Sequence, residues 1–110
     1  MSGWLDTIQE WLQNIWDWIA EAIRRFQVQQ IMQELEIVRR ALQSAQQDMT
    51  ERAIRLKTTK EINPNDPLVP LLEGDVEEFE RQIKRRQTRI EDLERRLNEL
   101  DPDGSIRASL

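Results

Sequence analysis

The chain has 110 residues, a net charge of −5, and neither cysteine nor histidine. Without these residues it has no disulfide, no thiolate, no usual zinc or haem site and no Ser-His nucleophile, so we expect no enzymatic activity, metal or cofactor. The acidic balance also argues against a nucleic-acid partner. Charged residues make up 34% of the chain and glycine occurs only 3 times, which is typical of long helices and predicts an all-α fold.

Residues 1–27 are predicted to form an amphipathic helix. At 100° per residue the apolar side chains share one arc of about 160°, and polar side chains fill the other half of the wheel. Tryptophans lie at both borders of the arc, with aliphatic side chains between them. The predicted membrane- or partner-binding residues are Trp4, Leu5, Ile8, Trp11, Leu12, Ile15, Trp16, Trp18, Ile19, Ile23 and Phe26.

Two interpretations of this helix stay open. Indole rings at the wet edge of an apolar face are typical of a helix lying in a membrane interface. The same face is also suited to burial in a protein groove. Acidic residues interrupt the apolar run, which argues against a transmembrane span and a secretory signal. The predicted location is therefore intracellular, peripheral at a membrane or within an assembly. The interrupting residues are Asp6, Glu10, Asp17 and Glu21.

A second apolar stripe begins at Val28 and predicts a first coiled-coil helix over residues 28–61. Its residues follow the 3-4 spacing of a coiled-coil seam. On the same wheel the stripe centres about 150° from the first one. Two arrangements are compatible with this change of face: a continuous helix, or a bend near residues 25–29. The predicted seam residues are Ile31, Leu35, Val38, Leu42, Met49 and Leu56.

A proline-rich connection is predicted over residues 62–74, followed by a second coiled-coil helix over 75–101. Pro64, Pro67 and Pro70 disfavour helix around them. Asp75, with Glu78 three residues later, resembles a capping box and predicts the helix start. Residues 102–110 are predicted to be a flexible tail. The seam residues of this helix are Val76, Phe79, Ile83, Ile90, Leu93, Leu97 and Leu100, and those expected to fold over the helix ends are Leu68, Val69, Leu71 and Leu72.

The two coiled-coil helices are predicted to pair as an antiparallel hairpin. Aligning residues whose numbers add up to 131 or 132 matches the two seams. It also brings opposite charges together, with Glu34 near Arg96 and Arg39 near Glu94. One narrow seam is marginal for an isolated hairpin. We therefore expect a homo-oligomer, either a four-helix bundle or a larger ring or filament, with contacts from the off-seam residues Ile37, Ala41 and Ile54.

One run of basic residues is a candidate anion patch. It carries five positive charges and no acid, a pattern that suits phosphate groups of lipids or nucleic acids. The alternative is a solvated helix face, because residues 76–100 contain seven basic and seven acidic side chains. The members of this basic band are Arg81, Lys84, Arg85, Arg86 and Arg89.

Two short stretches resemble known families. Trp11-Leu-Gln-Asn-Ile-Trp-Asp-Trp-Ile19, with Phe26 beyond, resembles the N-terminal amphipathic membrane anchor of the hepacivirus and pegivirus non-structural phosphoprotein. That resemblance implies that Trp11, Trp16, Trp18 and Ile19 lie in a membrane interface. Asn63-Pro-Asn-Asp-Pro67, with Leu71 and Leu72, is similar to the hairpin turn of type III secretion needle subunits, and no site is carried over from it.

The sequence thus predicts a non-enzymatic structural protein. It would dock on a membrane surface through its first helix and self-associate through a coiled-coil hairpin, an architecture that suits a viral, phage or bacterial structural component. The alternative is a soluble self-assembling or adaptor coiled coil whose tryptophan helix is buried in a protein interface.

Overall fold

The computed structural model describes residues 2–110, except for the side chain of Ser2. Over this range the chain forms three helices, α1 (Ser2–Ile62), α2 (Leu68–Leu100) and α3 (Ser105–Ser109). They contain 91% of the described residues, and none of these residues is in a strand. The all-α class is confirmed, and two long helices joined by a short connection have the order of a helical hairpin.

Helix α1 continues through the point where the apolar stripe changes face. It spans 61 residues, and neither glycine nor proline occurs between Trp4 and Ile62. Nothing in the backbone therefore favours a break. Of the two arrangements that the sequence left open, the structure has the continuous helix. The predicted boundary between residues 27 and 28 is a change of side-chain pattern within one helix.

Helix α2 begins at Leu68, seven residues before the predicted start at Asp75. The Asp66 carboxylate accepts a hydrogen bond from Leu68 N at 2.9 Å, which is how an N-cap aspartate satisfies a free donor of the first turn. Pro67 immediately precedes α2 and Pro70 lies in its first turn, where a missing N–H removes no helical hydrogen bond. The connection is consequently only residues 63–67, and Asp75 is an interior residue of α2 and not its cap.

The chain divides into two compact units, Met1–Gln33 with Arg96–Leu110, and Glu34–Arg95. The second unit contains the hairpin connection and parts of both long helices. Its buried apolar side chains come from both helices, and two of them lie in the first turns of α2. They are Leu35, Ala45, Val69, Leu72, Ile83 and Leu93.

Ion pairs between α1 and α2 fix the register of the second unit. Arg39 binds Glu94 at 2.8 Å and Lys60 binds Glu73 at 2.8 Å, so partners follow opposite orders along the two helices. This confirms the predicted pair of Arg39 with Glu94. Glu34 pairs with Arg89, seven residues before the predicted Arg96.

The same pairs correct the predicted alignment. The numbers of the first two pairs add up to 133 and those of the third to 123. Arg39 and Lys60 lie on one side of the seam and Glu34 lies on the other. Residues that face each other within the seam therefore have numbers that add up to about 128, the midpoint between 133 and 123. This differs by half a heptad from the predicted 131 or 132. Ala45 accordingly shares a depression with Phe79, Gln82 and Arg86.

The first unit has a small core of its own at the end of α2. Its buried apolar side chains are Val28 on α1, Leu97 on α2 and Ile106 on α3. The predicted flexible tail over residues 102–110 is therefore wrong for Ser105–Ser109, which is helical and holds one of these core residues. Gly104, with φ of 74°, makes the left-handed turn that leads into α3.

Candidate functional site

The apolar face of α1 between Trp4 and Phe26, called the Trp surface below, is exposed at every member of the predicted set except Ile15 and Ile19, which are half-buried. The four indole side chains have exposed fractions of 61% at Trp4 and Trp11, 65% at Trp16 and 73% at Trp18. Side chains of this size are normally covered in a folded protein, and an apolar patch this extended marks an interaction surface. Within the described residues of the first unit, nothing covers it.

The aliphatic middle of the Trp surface is less exposed than its indole borders. Ile8 is 39% exposed and Leu12 is 44% exposed, and Ile15 and Ile19 are half-buried. The indole side chains are therefore more exposed than these four aliphatic side chains, whereas Phe26, also in the middle of the arc, is 60% exposed. The remaining members of the predicted set are all exposed, namely Leu5, Ile23 and Phe26.

The opposite face of this segment is held by contacts within the helix. Gln13 donates a hydrogen bond to the Asp17 carboxylate at 3.2 Å, and the Thr7 hydroxyl donates to the Gly3 carbonyl at 2.9 Å. Arg24 lies 4.0 Å from Glu21. These polar groups are solvated and bind one another, so the segment is amphipathic in the structure as in the sequence.

Binding through the Trp surface would be stabilised mainly by burial of apolar side chains, with little electrostatic contribution. Fully burying one large apolar side chain contributes about 1.5–3 kcal/mol, so partial burial of a dozen suffices for reversible association. The polar side chains of the segment carry four acids against two arginines. A negative balance gives no attraction to an anionic surface.

The predicted seam residues all lie on the buried side of α1 and α2. Fully buried are Leu35, Ile83, Leu93 and Leu97. Half-buried are Ile31, Val38, Leu42, Met49, Leu56, Val76, Phe79, Ile90 and Leu100.

The structure covers some of the residues expected at the helix ends and buries one residue that the sequence did not indicate. Val69 and Leu72 are buried and Leu68 and Leu71 are exposed, so half of the four expected to fold over the helix ends do so. Asp101 was missed entirely, although it is only 1% exposed. The signal that points to it is the run from Asp101 to Gly104, in which an aspartate precedes a proline and a glycine, as in capped turns.

The basic band is largely occupied by partners on the protein itself. Arg81 binds Glu78 at 2.9 Å, and this hydrogen bond lowers the pKa of Glu78. Arg86 donates to Gln82 at 3.3 Å. Arg89 donates through Nε to Glu34 at 3.1 Å, and this contact raises the pKa of Arg89.

Two members of the basic band, Lys84 and Arg85, form no ion pair within the described part of the chain. They share a shallow depression with Arg81 and Thr88 on one face of α2. Gln43, Gln46 and Gln47 line a separate depression on α1. Within residues 2–110, two of the five cations of the basic band are therefore without an ion pair, and one of these two, Arg85, still contributes to the lowered pKa of Glu78 through its charge.

No cluster of three or more carboxylate, histidine or cysteine side chains able to hold a metal ion occurs among residues 2–110. Over the same range no helix has the length and apolar character needed to cross a membrane.

Comparison of the chain with protein-family models, with curated proteins and with solved structures gave no match. The class that fold and site define is an all-α hairpin protein with an exposed tryptophan-rich helix face, and the proposal below rests on that geometry alone.

Proposed function

We propose that this is a non-enzymatic structural protein that docks on a membrane surface through the Trp surface and self-associates through its hairpin. The observation that carries the proposal is the exposure of all four tryptophans, between 61% and 73%, along one face of a continuous helix. Contact between this apolar face and water is unfavourable in free energy, and transfer of the face into a lipid interface removes that contact.

The distribution of side chains across the Trp surface favours lipid over a protein groove. A protein groove buries the largest side chains in its centre. Here the indoles lie at the borders and are more exposed than the aliphatic centre formed by Ile8, Leu12 and Ile15. An indole ring has an apolar body and a polar N–H, so it is most stable where hydrocarbon meets water. The centre then enters the acyl region while the borders lie at headgroup level.

Charge indicates which membranes this surface suits. The segment has two more acids than arginines, and anionic headgroups would repel its polar face. Docking through apolar burial alone depends little on salt and does not require anionic lipid. Zwitterionic lipid is therefore the expected partner.

The hairpin is proposed to be an antiparallel coiled coil that associates with a second copy. On α1, the seam residues Val38, Leu42, Met49 and Leu56 remain half-buried, because two helices cover a seam from one side only. Off the seam, Ile37 is 67% exposed and Ile54 is 62% exposed. Packing two hairpins into a four-helix bundle covers both sets of residues.

Flotation with vesicles tests docking. Wild-type protein should float with phosphatidylcholine vesicles, and the bound fraction should not increase when anionic phosphatidylglycerol is added. Ile15→Glu places a charge in the middle of the Trp surface and should abolish flotation, because a buried charge costs several kcal/mol. Gln13→Glu adds the same charge on the polar face and should float like wild type.

Equal flotation of the two variants, or no flotation of wild-type protein with either lipid mixture, would contradict the proposal. Absence of flotation together with a protein-bound Trp surface would favour the soluble adaptor alternative.

A further inference from the structure

We infer that residues 101–110 form a strap that seats on α1 at Val28 and keeps the helix ordered from this point into the Trp surface. The inference rests on the fold alone and holds whether or not the Trp surface binds lipid.

The strap is internally fixed by one buried carboxylate. Asp101 accepts hydrogen bonds from Ile106 N at 3.0 Å, from Arg107 N at 3.1 Å and from Arg107 Nε at 2.9 Å. The Arg107 guanidinium also donates to the Asp101 carbonyl at 2.8 Å. A buried charge with this many donors specifies a single conformation of the segment. The strap is therefore held in one conformation by its own hydrogen bonds, although its helix is only five residues long.

Contacts at α1 show where the strap seats. Val28 is 0% exposed, although its chain neighbours Gln27 and Gln29 are exposed. One turn away, the Arg25 guanidinium donates to the Ser109 hydroxyl at 3.0 Å. The buried Ile106 belongs to the same compact unit. Together these observations place α3 on the side of α1 that carries Val28.

The position of the strap matters because the helix before it has no other support. The helicity of an isolated segment in water depends on its length and on temperature, and most helical stability in proteins comes from tertiary packing. Between Trp4 and Phe26 the side chains are exposed except for two half-buried isoleucines. The packing at Val28 is therefore the nearest anchor from which helix propagates towards the N-terminus. Its removal should let α1 fray from Ser2 into the region around residue 30.

Spin-label distances test this inference without any lipid. The chain contains no cysteine, so Asn14→Cys and Gln33→Cys supply two unique labelling sites on α1, both exposed. A continuous helix separates them by about 29 Å along its axis, at 1.5 Å per residue. Protein with an intact strap should give one narrow distance peak.

Two variants of α3 isolate the strap. Ile106→Asp should unseat it and broaden the distance distribution, with amide protection of residues 14–28 reduced about tenfold or more. Ala108→Asp changes an exposed residue of the same helix and should leave the peak narrow. If amide exchange at Ala45 and Leu93 shows that Ile106→Asp also unfolds the hairpin, Ile106→Ala replaces it, since it removes the contact without adding charge.

A narrow, unchanged peak in a variant whose Ser105–Ser109 amides have lost protection would overturn the inference. Failure of vesicle flotation would not, because this experiment measures only the order of α1.

Discussion

Asp101 is a buried carboxylate whose ionised form is stabilised by hydrogen bonds within the strap. Burial by itself raises the pKa of this carboxyl, but hydrogen bonds from Ile106 N, Arg107 N and the Arg107 guanidinium outweigh burial and leave the pKa below its ordinary value of 3.8. The charged form is therefore the one that the folded strap stabilises. Asp103 behaves similarly, because a hydrogen bond from Ser105 N lowers its pKa.

A lowered pKa makes the strap sensitive to acid. The stabilisation from Asp101 is fully present above its unfolded pKa of about 3.9 and is lost as the pH falls through the lower folded pKa. In a titration from about pH 5 to pH 2 followed by NMR, the Ile106 and Arg107 amides should therefore lose protection below pH 3.8. Asp101→Asn should remove this transition and weaken the strap at neutral pH.

Asp103→Asn is the matched control for the titration. It should change the response of the Ser105 amide and leave the Ile106 transition in place. A transition of the Ile106 amide that disappears in Asp103→Asn and persists in Asp101→Asn would contradict the assignment.

At the level of single residues, pattern alone identified the Trp surface and most of the buried seam, because helical periodicity is a direct property of the sequence. It missed Asp101 and Ile106 because their role depends on a turn that brings the chain back onto α1. Nothing periodic marks a five-residue helix, and one isoleucine among polar neighbours carries no pattern.

At the level of elements, the sequence predicted two long helices and a proline-rich turn but placed the turn too broadly. The three prolines between residues 64 and 70 disfavour helix, which predicts a connection as far as residue 74. In the structure Pro67 immediately precedes α2 and Pro70 lies in its first turn, with Asp66 as the cap. Proline is compatible with a first turn, and only the position of the cap distinguishes the two roles.

The register between α1 and α2 could not be predicted correctly from the hydrophobic pattern. Two alignments of a 3-4 stripe that differ by half a heptad bury the same seam residues, so hydrophobic pattern alone does not separate them. Ion pairs distinguish the two alignments only when the partner of each charged residue is known. Arg39 with Glu94 was compatible with the predicted register, whereas Glu34 with Arg89 identifies the observed one.

At the scale of the whole molecule, the proposed self-association would cover more of the apolar surface of a hairpin whose own core is small. Sedimentation equilibrium should give masses that rise with concentration above the 13.2 kDa of one chain. Ile37→Glu should weaken association tenfold or more, about 1.4 kcal/mol, because the contact would then bury an unpaired charge. Gln43→Glu, with the same charge at an exposed polar position, should associate like wild type. A mass of one chain at every concentration would refute the four-helix bundle.

Docking of the Trp surface is tested most directly by tryptophan fluorescence with brominated phosphatidylcholine vesicles. All four tryptophans of the chain lie on this surface, so the emission reports on it alone. The account predicts a blue shift on adding vesicles, with quenching stronger from bromines near the headgroup end of the acyl chain than from bromines near its terminus. Emission that neither shifts nor is quenched at saturating lipid would contradict it.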